Sequence, residues 1–153
     1  MSKRFESVDE ILDFAIANEV GANKFYLELA SKMEIPAMKQ AFEEFAAEEA
    51  AHKVKLESVK RGDFSFGSGA AKVQTLGLAD YLVEGEPKPD MTYAEALILA
   101  MKQEKAAYKL YQDLAAAAEA QELTDLFLSL AAEEAKHKLR FEIEYDDVVL
   151  KED

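Results

Sequence analysis

The sequence predicts an all-α protein: an antiparallel four-helix bundle built from two duplicated helical hairpins joined by a long crossover. Three observations carry this prediction. Apolar residues recur at helical spacing along four long segments. Most of the glycine and proline falls in one stretch between the second and third segments. Residues of the first half also reappear in the second half, 85 positions later and without a gap.

The elements follow in order. In "SVDE", Ser7 and Glu10 stand at the spacing of a helix capping box, and apolar positions recur from Val8 to about Met33, which predicts a first helix over 8–33. Gly21 lies inside it and is compatible with close packing there. Pro36 suits a first helical position and opens a second helix over 36–61, which stops at Gly62. Five of the six glycines (62, 67, 69, 77, 85) and two of the three prolines (87, 89) mark residues 62–91 as a linker, with a short helix expected in "TLGLADYLV" at 75–83. Thr92 and Glu95 in "TYAE" repeat the capping-box spacing and start a third helix over 93–118.

Local signals alone would carry that helix on through "YQDLAAAAEAQELTDLF". The repeat breaks it. The offset of 85 takes Ser7 to Thr92, Glu10 to Glu95, Glu19 to Glu104, Tyr26 to Tyr111, Phe42 to Phe127, Glu48 and Glu49 to Glu133 and Glu134, and His52 to His137. It therefore predicts a turn near Glu119–Gln121, opposite Glu34–Pro36, and a fourth helix over 121–148. Each helix is about 39 Å long. The 30-residue linker is long enough to run the length of such a bundle, as it must if the second and third helices are parallel. Residues 1–153 read as one domain, with a hairpin at 7–61, the crossover at 62–91 and a hairpin at 92–148.

Composition narrows the function classes. Half of the residues are hydrophobic, enough for a packed interior. With 31 acidic against 18 basic residues, the net charge of −13 argues against nucleic acid and anionic membranes as partners and suits a protein that attracts cations. The absence of cysteine excludes disulfides, thiolate metal sites and thiol nucleophiles. No segment has the apolar length of a membrane span, and "MSKRFESVDE" does not resemble a signal peptide, so the expected location is the cytoplasm.

A glutamate in a helix is ordinarily a solvated side chain, and this chain has 21 of them. Four depart from that pattern. Glu19 interrupts the apolar stripe of Leu12, Ile16, Ala22, Tyr26 and Met33. Glu49 and His52 interrupt that of Phe42, Phe45, Leu56 and Val59. Glu104 lies among Leu97, Met101, Tyr108 and Tyr111, and Glu134 and His137 lie among Phe127, Leu130 and Phe141. By contrast, Glu48 shares a face with Glu44 and Lys55, and Glu133 with Ser129, Lys136 and Arg140, which assigns both to the surface.

An isolated carboxylate away from water is very unfavourable, so four of them on apolar stripes require compensation. Each lies near the middle of its helix, at a common height in a bundle. His52 follows Glu49 by three residues and His137 follows Glu134 by three, which puts each pair on one face. Four carboxylates and two imidazoles match two divalent cations in charge. Oxygen-rich ligation with one histidine per metal favours iron or manganese over structural zinc. The two histidines, the only ones in the chain, each supply one metal, and the preceding glutamate can bridge the pair. The competing reading is a metal-free acidic bundle with its histidines satisfied in the core. Tyr26 and Tyr111, each seven residues beyond a single glutamate, are placed to donate to a carboxylate from the outer shell of such a site, or else to serve as core aromatics.

One Glu from each of two helices and Glu-x-x-His from each of the other two is the pattern of ferritin-like di-metal carboxylate proteins. At these residues the chain resembles the rubrerythrin branch of that superfamily, over residues 7 to about 148. The resemblance implies a ferritin-like fold and a di-iron centre, with manganese as the alternative, held by Glu19, Glu49, His52, Glu104, Glu134 and His137. It implies an oxidoreductase that reacts ferrous iron with peroxide or oxygen in oxidative-stress protection, often as a homodimer. Rubrerythrins carry a four-cysteine rubredoxin-like domain. This cysteine-free chain has none, which implies an external electron donor such as a rubredoxin-type protein. Rubrerythrins also place an extra glutamate one turn after the third-helix ligand, where this chain has Ala107. The simpler six-residue set looks more like a bacterioferritin ferroxidase centre, although Ala50 replaces the haem-binding methionine of bacterioferritins. Only 16 residues follow His137, which speaks against a cage-forming fifth helix. The alternatives to the enzyme are a ferroxidase or iron-storage protein, and a metal-stabilised structural bundle.

Overall fold

Four long helices form where the periodic segments predict them, in a computed structural model that describes residues 5–62, 76–83 and 88–152. They are α1 (Val8–Ser31), α2 (Pro36–Lys60), α3 (Tyr93–Ala117) and α4 (Gln121–Glu152), with a 3-10 turn, Leu78–Tyr81, ahead of α3. The chain divides into two compact units. One, Glu6–Ser65, holds α1 and α2; the other, Phe66–Asp153 with the segment ending at Phe5, holds the 3-10 turn, α3 and α4.

In the first unit Ser7 caps α1, its hydroxyl accepting from the Glu10 amide at 3.1 Å. The Glu10 carboxylate reaches back to the Glu6 amide rather than to that of Ser7, so the box is only half formed. Four residues, 32–35, turn the chain, and Pro36 starts α2 without a side-chain cap. Gly62 ends the hairpin with φ +90°, a left-handed conformation that favours glycine, and its N–H closes on the Val59 carbonyl. α1 packs on α2 through Ile11, Leu12, Ala15, Phe25, Tyr26 and Leu29 against Met38, Phe42, Ala46, Leu56 and Val59. Full burial of a side chain such as Phe42 stabilises the fold by about 1.5–3 kcal/mol.

In the second unit Thr92 and Glu95 complete the capping box in both directions, each bond at 3.1 Å. Hydrogen bonding to the Thr92 backbone amide, and then to its side chain, holds the Glu95 carboxyl below its ordinary pKa. Ala118–Ala120 form the turn, and the Thr124 hydroxyl donates to the terminal carbonyls of Ala115 and Ala118. The buried Tyr81 anchors the 3-10 turn on α3. Its hydroxyl donates to Asp113 at 2.7 Å, Lys109 bonds the same carboxylate at 3.0 Å, and the Lys109 ammonium lies 5.0 Å from the ring centre. Burial, then the Asp113 carboxylate, push the Tyr81 phenol far above its ordinary pKa, so it remains a donor. Phe5 packs on Tyr81 with ring centres 6.3 Å apart. At the far end of the hairpin, Tyr93 at the start of α3 donates to Glu144 of α4 at 3.1 Å.

The buried positions obey the repeat. Leu12, Ala15, Tyr26, Phe42, Ala46 and Leu56 correspond to Leu97, Ala100, Tyr111, Phe127, Ala131 and Phe141, and all twelve are buried. Boundaries depart from the sequence expectation by one residue at the ends of α2 and α3, and by more in two places. α1 stops at Ser31, where the Lys32 and Met33 amides turn back to the Leu29 and Ala30 carbonyls. α4 runs to Glu152 rather than to 148, because nothing in "DDVVLKE" breaks a helix. The short helix expected at 75–83 is the four-residue 3-10 turn, and most of the crossover, residues 63–75 and 84–87, lies outside the described residues.

Gly21 does not sit at a close helix contact. It is exposed, and a Cβ there meets nothing within 4 Å among the described residues. Gly21→Ala therefore removes a helix-interior glycine without a clash. The expected result is a gain of about 0.5–1 kcal/mol in chemical denaturation, with no change in metal content.

Candidate metal centre

The first unit brings Glu19 of α1 to Glu49 and His52 of α2. All three are at most 2% exposed, and each stands near the middle of its helix. Helical periodicity puts them there. Glu19 follows Ala15 by one turn and precedes Tyr26 by two, while Glu49 and His52 fall between Phe42 and Leu56 on the stripe that packs inward. His52 Nδ1 lies 3.5 Å from Glu19 Oε2 and 4.0 Å from Glu49 Oε2. One donor atom from each residue falls within 4.8 Å of the others. Among the described residues Glu19 Oε2, Glu49 Oε1 and His52 Nδ1 meet no hydrogen-bond partner, while each of the three residues is engaged through further interactions. Aromatic rings line the hairpin beyond this triad: Tyr26 meets Phe45 edge-on at 6.4 Å, and Phe45 meets Phe42 at 6.5 Å.

The second unit repeats the arrangement with Glu104 of α3, Glu134 and His137 of α4, each about 1% exposed. His137 Nδ1 lies 3.6 Å from Glu104 Oε2, and the three donors again fall within 4.8 Å of one another. Tyr111 stacks on Phe127, the rings 6.4 Å apart and 12° from parallel. Of the two neighbouring glutamates, Glu48 is exposed and Glu133 half-buried.

Each triad presents two carboxylates and one imidazole, with an imidazole nitrogen turned to carboxylate oxygens. Two ligands that share a cation at about 2.0–2.2 Å stand roughly 3 to 4.2 Å apart, depending on the angle between them. The separations of 3.5, 4.0 and 3.6 Å fall within that range. Hard carboxylate oxygens with one nitrogen suit iron or manganese. Sequence reasoning overlooked Asn23, one turn beyond Glu19, which donates from Nδ2 to the Ala46 carbonyl of α2 at 2.7 Å. Its one sequence signal is an amide standing on the same stripe as Glu19.

The Rubrerythrin family model matches residues 10–64 and 95–153, well over half of the chain. The chain belongs to the rubrerythrin family. Both matched segments contain a complete triad. Two solved structures are similar to this rubrerythrin-family chain. A candidate ferritin-like diiron-carboxylate protein from Thermotoga maritima shares 21% identity over 97% of this chain and 99% of its own, with a TM-score of 0.78. A hypothetical protein from Pyrococcus furiosus shares 26% identity over 92% of this chain and 89% of its own, with a TM-score of 0.72. No curated protein matches the chain. The fold is thus all-α and ferritin-like, the class that the sequence predicts. Among the described residues no helix is long and apolar enough to cross a membrane.

Proposed function

We propose that this rubrerythrin-family chain is a di-iron carboxylate oxidoreductase, in which Glu19, Glu49 and His52 hold one iron ion and Glu104, Glu134 and His137 hold the other. One observation carries the reading: both hairpins bury the same triad, two carboxylates and an imidazole, at the middle of their helices. A buried carboxylate pair is costly unless a cation balances it, and the same triad recurring at one fixed sequence offset is not chance. The kinship of the Thermotoga maritima structure, described as a ferritin-like diiron-carboxylate protein, supports iron over manganese.

When bound, iron supplies electron transfer to peroxide or oxygen by cycling between ferrous and ferric states. The protein's own part is positioning. The helices fix the carboxylates and imidazoles before a cation arrives, and the surrounding apolar side chains exclude bulk water. Tyr26 and Tyr111, buried two turns beyond Glu19 and Glu104, are placed to donate a hydroxyl to a carboxylate and so to hold its orientation. Electrons come from an external donor such as a rubredoxin-type protein, and the protein works as a cytoplasmic homodimer in defence against oxidative stress. A ferroxidase role is the second reading, favoured by Ala107, which leaves six ligand residues without the additional glutamate of rubrerythrins.

Anaerobic loading with ferrous iron, followed by peroxide or oxygen, tests the redox reading. The expected result is ferric absorption at two irons per chain, faster with peroxide for the peroxidase and with oxygen for the ferroxidase. Protein that takes up iron but shows no oxidation with either would be a metal-stabilised bundle instead. Size-exclusion chromatography adds the oligomer: a dimer fits the enzyme, and a 24-subunit particle would favour storage.

A further inference from the structure

The two triads have the same donors at nearly the same spacing, 3.5 Å from His52 to Glu19 and 3.6 Å from His137 to Glu104, yet their hairpins are tied together differently. Asn23 lies four residues beyond Glu19 on α1, and Ala46 lies three residues before Glu49 on α2. The bond from Asn23 Nδ2 to the Ala46 carbonyl, at 2.7 Å, is short for an amide donor. That carbonyl stands in mid-helix, where its second lone pair serves the helix itself. The bond therefore ties one backbone to a side chain of the other. Sliding α1 along α2 by one residue moves the donor by about 1.5 Å and breaks it. At the matching place in the second hairpin, Tyr108 replaces Asn23 and Ala131 replaces Ala46. The Tyr108 hydroxyl accepts from Gln112 Nε2 on its own helix at 2.7 Å, and among the described residues no hydrogen bond from this position reaches α4.

We propose that Asn23 is a positioning residue that makes the two triads unequal: by holding Glu19 in register with Glu49 and His52, it gives this triad the tighter of the two metal ions. The inference rests on the metal-binding reading above. The donors being alike, the difference lies in preorganisation. A triad already held in register loses less conformational freedom when it closes on a cation, and that saving appears as affinity. The α3–α4 pair has its own bond, Tyr93 to Glu144, but at the start of α3, eleven residues before Glu104. Beside its triad it lacks this tie, and that triad takes the weaker and more readily exchanged ion.

Anaerobic titration of the metal-free full chain with Mn²⁺, followed by electron paramagnetic resonance, measures the two affinities. His52→Ala and His137→Ala assign each step to a triad. The expected result is two steps in the unaltered protein, with the tighter one lost in His52→Ala. Asn23→Leu, which keeps the volume but removes the donor, and Asn23→Ala weaken that step roughly tenfold and leave the other unchanged. Tyr108→Phe alters neither. Two equal steps, a tighter step that belongs to His137, no change on replacing Asn23, or equal weakening of both steps would each overturn the proposal. So would failure of both Asn23 variants to fold, since Asn23 would then support the hairpin as a whole. If the unaltered chain bound no Mn²⁺ and no Fe²⁺, the metal-binding reading itself would fall and take this inference with it.

Discussion

Glu49→Ala and Glu134→Ala are expected to abolish stoichiometric metal binding, while Glu48→Ala and Glu133→Ala leave it intact. The members of each pair are adjacent in sequence, so composition, net charge and helix propensity change alike. They differ in direction. Adjacent helical residues point about 100° apart, which buries Glu49 beside His52 and leaves Glu48 exposed. Truncating Glu49 leaves its triad with one carboxylate and one imidazole. That loses more than the roughly 10- to 100-fold expected for a merely supporting residue. Glu133 is the sterner control, being half-buried. Equilibrium dialysis against ferrous iron, with metal analysis of the protein, gives the answer directly. Two ions retained in Glu49→Ala and one lost in Glu48→Ala would place the ligands on the wrong face of α2.

Metal should also raise the melting temperature, and chelator should lower it. A ligand that binds only the native state stabilises by RT ln(1 + [L]/Kd), about 2.7 kcal/mol at a hundredfold excess over Kd. For a chain of 153 residues each kcal/mol is worth about 2–4 °C, so the shift is about 5–10 °C. The unfolded chain competes weakly, because Glu19 and Glu104 stand 30 residues from Glu49 and Glu134 along the sequence and there is no cysteine. Calorimetry of chelated and Mn²⁺-loaded protein measures the shift, and the double variant with Glu49→Ala and Glu134→Ala serves as the blank. Equal melting in the two states would show that native and unfolded chains do not differ in affinity.

Much of this molecule is readable along the chain. The period of apolar residues marks α1 to α4, and the gapless offset breaks "YQDLAAAAEAQELTDLF" near Glu119–Gln121, within a residue of the turn at Ala118–Ala120, where propensity alone would not. The same period puts Glu19, Glu49, His52, Glu104, Glu134 and His137 on inward stripes, and the structure buries all six. Helix ends are less legible. α1 frays two residues early and α4 runs on, since local capping chemistry and the absence of a breaker decide an end by small energies.

A one-dimensional pattern specifies which way a side chain faces, because the helix turns by a constant angle per residue. It does not specify what that side chain meets. Folding alone brought Asn23 to the Ala46 carbonyl, docked Tyr81 on Asp113, joined Tyr93 to Glu144, and left Gly21 facing open space. Each of these depends on the register and separation of two elements distant in sequence, and that is set by how whole surfaces pack rather than by any local run of residues.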